Sequence, residues 1–146
     1  MATSIFENSS NFPNESTRAL LNLKYTANWL EKLGNELLKP FDISIQQYNI
    51  LRILRGSKKA IKMNEVRERM IENSPNSTRL MDKLCEKNLI ERERSENDRR
   101  VVFVKITQKG LQLLDQISIE DYVQVMNTLN ENELKVLNEL LIKLTK

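Results

Sequence analysis

A chain of 146 residues with 40% hydrophobic content suits one compact domain with helical extensions, and three glycines and three prolines exclude long flexible linkers. A single cysteine, Cys85, excludes an internal disulfide framework and fits a reducing cytosol, so a cytoplasmic location is expected. The net charge of +3 is too small by itself to argue for nucleic acid, and the absence of histidine removes the commonest general base and metal ligand.

Residues 1–14 are rich in Asn and Ser, with Ile5, Phe6 and Phe12 as the apolar residues able to dock; no basic region precedes an apolar run, so no signal peptide is expected. Residues 16–39 predict a long amphipathic helix with Leu20, Leu23, Ala27, Leu30, Leu33, Gly34 and Leu37 on one stripe and Pro40 as its stop. Gly34 lowers helix stability by about 1 kcal/mol against Ala, and close approach of another helix is the expected compensation. Ser44 caps a second helix through Ile45, Tyr48, Leu51, Ile53 and Leu54, ending near Gly56. Arg52, Arg55, Lys58, Lys59 and Lys62 then form an acid-free basic run. Ala60 and Ile61 predict a short strand, and Asn64 to Met70 a brief helix.

Ser74 stands where an N-cap belongs and Pro75 at the first helical position. Leu80, Met81 and Leu84 supply an apolar stripe, leaving Asn76, Ser77, Thr78, Arg79, Asp82 and Lys83 for an outward polar face. Asn88 is placed to end that helix in a left-handed conformation. The period then changes: Leu89–Arg94 and Val101–Ile106 predict a hairpin around the polar tip Ser95–Arg99. Thr107 caps a predicted long helix with Leu111, Leu114, Ile117, Val123, Met126 and Leu129 inside, and Asn130 with Glu133 opens a last one carrying Leu134, Leu137, Leu141 and Leu144. The fold class is mainly α with a small β-hairpin. No apolar stretch approaches the roughly 20 residues needed to span a bilayer, so no membrane partner is expected.

The runs TRLMDKL, NLIER, DRRVVFVKIT and KG resemble the winged helix-turn-helix core of the MarR family of bacterial transcription regulators, over roughly residues 45 to 112. The resemblance implies a winged helix-turn-helix with flanking dimerisation helices. It divides the chain into an N-terminal arm and dimerisation helix at 1–40, a DNA-binding domain at 41–110, and C-terminal dimerisation helices at 111–146. It implies that Asn76, Ser77, Thr78 and Arg79 lie at the major-groove end of the recognition helix. It further implies that Asp98 and Arg100 are the wing's Asp-x-Arg pair, the carboxylate holding a guanidinium that enters the minor groove. Two residues depart from the pattern: Arg67 stands where the family has a small alanine, and Ser77 where it often has valine.

Arg79 and Lys83 lie one helical turn apart, and either fits a phosphate while Arg79 also fits a guanine edge. Asn76 fits adenine or the free amides of the first turn, whereas Ser77 and Thr78 fit helix-start or phosphate contacts better than base reading. Arg99 is adjacent to Arg100 and points to the other face if the strand persists; Arg92 and Arg94 suit phosphate or solvent. Lys58 and Lys59 line the DNA backbone or form a soluble loop, two uses that the sequence leaves equal.

The first helix and the last two carry more leucine than a small winged domain buries, which together with the resemblance points to a homodimer. Tyr25, Trp29 and Tyr48 are candidates to line a cleft for the small aromatic or anionic effectors that the resemblance implies, with core packing as the plain alternative. Cys85 has no assured basic neighbour and reads as inert rather than as a redox sensor. No Gly-rich phosphate loop or metal-ligand spacing appears, so no cofactor, metal or enzymatic activity is expected. The expected function is sequence-specific binding of double-stranded DNA by a homodimeric, ligand-responsive repressor at a pseudo-palindromic operator. A winged-helix adaptor that binds protein instead of DNA is the alternative.

Overall fold

The computed structural model describes residues 12–71 and 76–146. The expected Ser74–Pro75 helix start, and the docking of Ile5 and Phe6, lie outside them.

Helix α1 (Glu15–Leu38) opens on Asn14, whose side chain accepts the Thr17 N–H at 2.8 Å. Pro40 ends the α-helix as expected, but the chain continues through one 3₁₀ turn, Lys39–Phe41, because proline needs no N–H in a first turn. Helix α2 (Ile45–Ser57) begins with a reciprocal capping box in which Ser44 accepts the Gln47 N–H at 3.1 Å and Gln47 accepts the Ser44 N–H at 3.0 Å. It ends near Gly56, as expected, with Ser57 as its last residue. The Ser57 hydroxyl sits 2.8 Å from the carbonyls of both Leu54 and Lys59, and Lys58 takes the left-handed position, with φ 54°. Where α1 meets α2, a methyl at Gly34 would lie 3.0 Å from the Ile45 side chain, the close approach its helical setting implied.

The short strand forms one residue later than expected, as β1 (Ile61–Lys62), and leads into α3 (Met63–Arg69). Helix α4 (Ser77–Glu86) closes with Asn88 at φ 58°; Leu89 N–H reaches the Leu84 carbonyl at 3.0 Å and Asn88 N–H the Cys85 carbonyl at 2.9 Å. That paired geometry satisfies the last carbonyls of the helix. Strands β2 (Ile90–Arg94) and β3 (Val102–Ile106) form the hairpin, and β1 pairs antiparallel on the far side of β3 with Ile61 opposite Val104.

α2 runs through the middle. Ile50, Leu51 and Leu54 are buried with Val66 of α3, Met81 and Leu84 of α4, Ile90 of β2 and Val104 of β3, so both halves of the helix pair and the wing share one core. Burying such side chains contributes about 1.5–3 kcal/mol each.

The predicted long helix after Thr107 is three pieces: α5 (Gln108–Gln116), α6 (Glu120–Val123) and a 3₁₀ stretch, Gln124–Thr128. The break follows from Ile117-Ser118-Ile119. Ser118 accepts the Glu120 N–H at 3.4 Å, giving the backbone a non-helical alternative, while Ile117 and Ile119 pack on the core. Helix α7 (Glu131–Leu144) starts from the expected Asn130–Glu133 capping box.

Gly110 in α5 lies against β2's entry. A Cβ there would stand 2.3 Å from the Leu89 carbonyl oxygen and 2.6 Å from Ile106 Cγ1. Gly110→Ala should therefore cost about 3 kcal/mol, the upper end for overpacking, read as a lower urea midpoint at fixed protein concentration. Gly34→Ala, which meets side-chain atoms of Ile45 at 3.0 to 3.4 Å and no backbone atom, should cost much less. Equal midpoints for the two variants would contradict this packing.

Candidate nucleic-acid interface

α3 and α4 form the helix pair, and the β2–β3 hairpin stands beside them. The α4 surface carries exposed Asn76, Thr78, Arg79 and Lys83, with Arg79 and Lys83 outside any ion pair among the described residues. Ser77 departs from the expected outward face. It is only 4% exposed, because the first turn of α4 rotates it toward the core that Met81 and Leu84 anchor. Its hydroxyl is turned from the surface that Thr78 and Arg79 present.

The helix start is tied to α3 by Arg67. One terminal guanidinium nitrogen donates to Thr78 Oγ1 at 2.5 Å and lies 3.6 Å from Met63 Sδ; the other donates to Asn64 Oδ1 at 3.2 Å. Arg67 Nε is buried and has no hydrogen-bond partner. Beside it is a hollow of about 340 Å³ lined by Lys62, Met63, Asn64, Arg67, Arg100, Val101 and Val102. The base of the wing, β1 and α3 thus flank one cationic depression, and Arg67 ties its wall to the start of α4.

At the wing tip Asp98, Arg99 and Arg100 are exposed. The expected carboxylate–guanidinium pair is absent among the described residues. Asp98 Oδ1 instead accepts the backbone N–H of Arg100 at 3.0 Å, while the Asp98 carbonyl accepts Val101 N–H and the Val101 carbonyl accepts Ser95 N–H, both at 3.0 Å. A short side chain two residues before the amide makes this turn more readily than it reaches a guanidinium on a diverging strand. The aspartate orders the Arg100 backbone and leaves its side chain free.

Arg92 does not face phosphate or solvent alone: it pairs with Asp82 of α4 at 2.6 Å, bracing the wing against the recognition helix. Lys105 is held by Glu91 at 3.1 Å and Glu93 at 3.7 Å across the hairpin, and these hydrogen-bonded carboxylates raise its pKa. Arg94 is exposed. Lys87 Nζ meets Asp42 Oδ2 at 2.9 Å, linking the end of α4 to the α1–α2 turn, and its hydrogen bond and charge lower the pKa of Asp42.

Lys58 and Lys59 are exposed but remote from the wing tip. The pairing of Ile61 with Val104 and Lys62 with Phe103 sends Lys59 toward Lys105 and Ile106, and all three line one depression with Arg55. Lys62, passed over in the basic run in favour of Lys58 and Lys59, is the one directed to the tip; the strand register separates them.

Of the cleft candidates, Tyr48 is buried and lines a cavity of about 210 Å³ between α1, α2 and the 117–123 segment, with the Arg52 guanidinium 5.9 Å from its ring centroid. Tyr25 and Trp29 do not line it, and Trp29 is 44% exposed, because α1 turns that face away from α2. Tyr122 lines the cavity instead. The break at Ile117, invisible as helix periodicity, brings it there. Cys85 is half-buried, and burial pushes its thiol pKa up more than Arg92 lowers it, so it is held as the unreactive thiol.

Among the described residues no helix is long and apolar enough to cross a membrane. The model of the family described as transcriptional regulator SarA/Rot matches residues 32–117. The transcriptional regulator MgrA of Staphylococcus aureus is 29% identical over 111 residues, 75% of each chain. A mutant MarR from E. coli, solved in complex with operator DNA, superposes with a TM-score of 0.77 at 29% identity, covering 88% of this chain and 94% of that one. A MarR-like transcription regulator from Bacillus cereus matches the fold with a TM-score of 0.80 at 23% identity over 90% of this chain and 97% of its own. The structural matches bear out the winged helix-turn-helix architecture.

The wing geometry makes a specific prediction. Asp98→Asn keeps an oxygen acceptor for the Arg100 amide and should leave its hydrogen-exchange protection near the parent value, whereas Asp98→Ala should lose about tenfold, on the scale of one hydrogen bond. Equal loss in both variants would mean that the charge, not the turn, orders the wing.

Proposed function

The chain belongs to the SarA/Rot family of transcriptional regulators, and we propose that two copies bind a pseudo-palindromic operator in duplex DNA as a ligand-responsive repressor in the cytoplasm. The observation that carries the reading is the shared hollow through which Arg67 connects Thr78 of α4 to the surroundings of Arg100 in the wing. A polar helix tip and a cationic hairpin on one side of a subunit match a duplex at adjacent major and minor grooves. Arg79, Lys83, Arg99 and Arg100 then meet phosphates and base edges, Asn76 and Thr78 lie at the groove floor or its phosphate rim, and Ser77 supports α4 from inside. Lys58 and Lys59 serve at most the flanking backbone. Phosphate contacts supply salt-dependent affinity; base contacts from α4 supply sequence choice.

The dimer reading rests on α1 and α7. Leu20 and Leu23 on α1 and Val136, Leu140, Leu141 and Leu144 on α7 are exposed, and no α7 residue is buried within the subunit. A two-fold partner covers such faces and sets the spacing of two α4 helices. The proposed division follows: residues 1–40 and 111–146 join subunits, and 41–110 read DNA. A small aromatic anion in the Tyr48–Tyr122 cavity, beside Arg52, shifts the protein by its differential affinity for the two spacings.

The reading is tested by selecting bound duplexes from random sequence and titrating binding against salt. Arg79→Ala should weaken the selected site about 5- to 150-fold and relax preference at one base pair, while Arg100→Ala weakens it at the minor-groove position. Leu140→Asp with Leu144→Asp should shift the sedimentation mass toward the monomer and weaken operator binding with it. Binding that is indifferent to both arginines would sink the DNA-contact assignment; an unchanged mass would sink the dimer face.

A further inference from the structure

We infer that Arg67 fixes the hydrogen-bonding polarity of Thr78, making its hydroxyl a donor toward an acceptor atom on the duplex. The inference rests on the duplex recognition proposed for α4. Thr78 is exposed at the second residue of that helix, and its oxygen already accepts from a cation at 2.5 Å. A hydroxyl has one proton and two lone pairs. With a charged donor on one lone pair, the proton turns away from the guanidinium, and the O–H bond is polarised into a stronger donor. The group that Thr78 then seeks is an acceptor: N7 or O6 of guanine, N7 of adenine, O4 of thymine, or a phosphate oxygen. The amino groups of cytosine and adenine are disfavoured there.

The position of Arg67 is specific. Its two terminal nitrogens reach α3 through Asn64 and α4 through Thr78, on either side of residues 72–75. Holding it this way leaves Nε buried without a partner, so the guanidinium is placed by the contacts of its outer nitrogens and not by full satisfaction of its own donors. A fork presenting two donors at fixed spacing makes both contacts together; a lysine at this position does not. Arg67 is thus a positioning residue that acts on DNA through Thr78.

A double-mutant cycle on the selected operator tests this, using the full chain and Arg67→Ala, Thr78→Val and the double variant. Each single change should weaken binding about tenfold, and the double should be no weaker than either single. The salt slope of Arg67→Ala should stay at the parent value, because Arg67 neutralises no phosphate itself. Thr78→Ser, which restores the hydroxyl, should bind nearly as the parent does. Loss confined to the selected operator identifies a base acceptor, and equal loss on unrelated duplex identifies a phosphate. Circular dichroism checks folding, and should Arg67→Ala not fold, Arg67→Lys replaces it in the cycle. Multiplying losses, a slope reduced by about one, or unaltered binding by the Arg67 variant each overturn the role of Arg67. A parent chain that selects no duplex overturns the DNA reading beneath it.

Discussion

The backbone carbonyl of Leu89 determines how the recognition helix and the wing sit together. The Leu89 N–H closes α4 on the Leu84 carbonyl, and its own carbonyl accepts Thr107 N–H at 3.1 Å. Thr107 meanwhile donates its hydroxyl to the Asn88 carbonyl at 2.7 Å and accepts Gly110 N–H at 3.0 Å, while the bare Cα of Gly110 passes over the Leu89 oxygen. The exit of α4, the entry of β2, the end of β3 and the start of α5 therefore meet at one point. Leaving such a buried backbone group unmade costs about 1–3 kcal/mol, so α4 and the hairpin behave as parts of one body.

Around that junction the charges divide into two sets. Asp82–Arg92, Asp42–Lys87 and the Glu91–Lys105–Glu93 group join elements of the domain to one another. Lys62, Arg79, Lys83, Arg99 and Arg100 enter no ion pair among the described residues. Exposed pairs contribute only about 0–1 kcal/mol each to stability, so this division matters less for folding than for what is left unpaired. Of these unpaired cations, Lys62 and Arg100 line the hollow between α3 and the wing together with Arg67, and no carboxylate among the described residues lines it. This accounts for how a chain of net charge +3 presents a local cationic surface.

The helices outside the winged core obey a different constraint. α1 buries only Gly34 and Leu38 and α7 buries nothing, although both have the leucine spacing of packed helices. Within the subunit their apolar faces lack a surface to meet; the proposed two-fold partner supplies one. The Tyr48–Tyr122 cavity lies where these helices adjoin the winged core, so whatever fills it bears on the placement of one against the other.

The sequence by itself determined where most elements begin and end, because caps and period changes act over three or four residues. Asn88 stops α4, Ser44 opens α2, Asn130 with Glu133 opens α7, and the β-branched run around Phe103 forms a strand, all as read from local chemistry. The runs that resemble the family likewise sufficed to identify the winged fold. Tertiary structure alone decided side-chain direction and the competition between neighbouring contacts. It turned Ser77 inward, gave Asp98 the Arg100 amide instead of its guanidinium, joined Arg67 to Thr78, sent Lys62 and Lys59 to opposite ends of the sheet, and replaced Tyr25 and Trp29 with Tyr122 at the cavity. The broken helix at Ile117 belongs with these, since the core that draws in Ile117 and Ile119 is built from residues more than fifty positions earlier as well as from their neighbours. Local signals set the backbone's options within a turn, but a side chain's partner is chosen by packing between segments far apart in the chain.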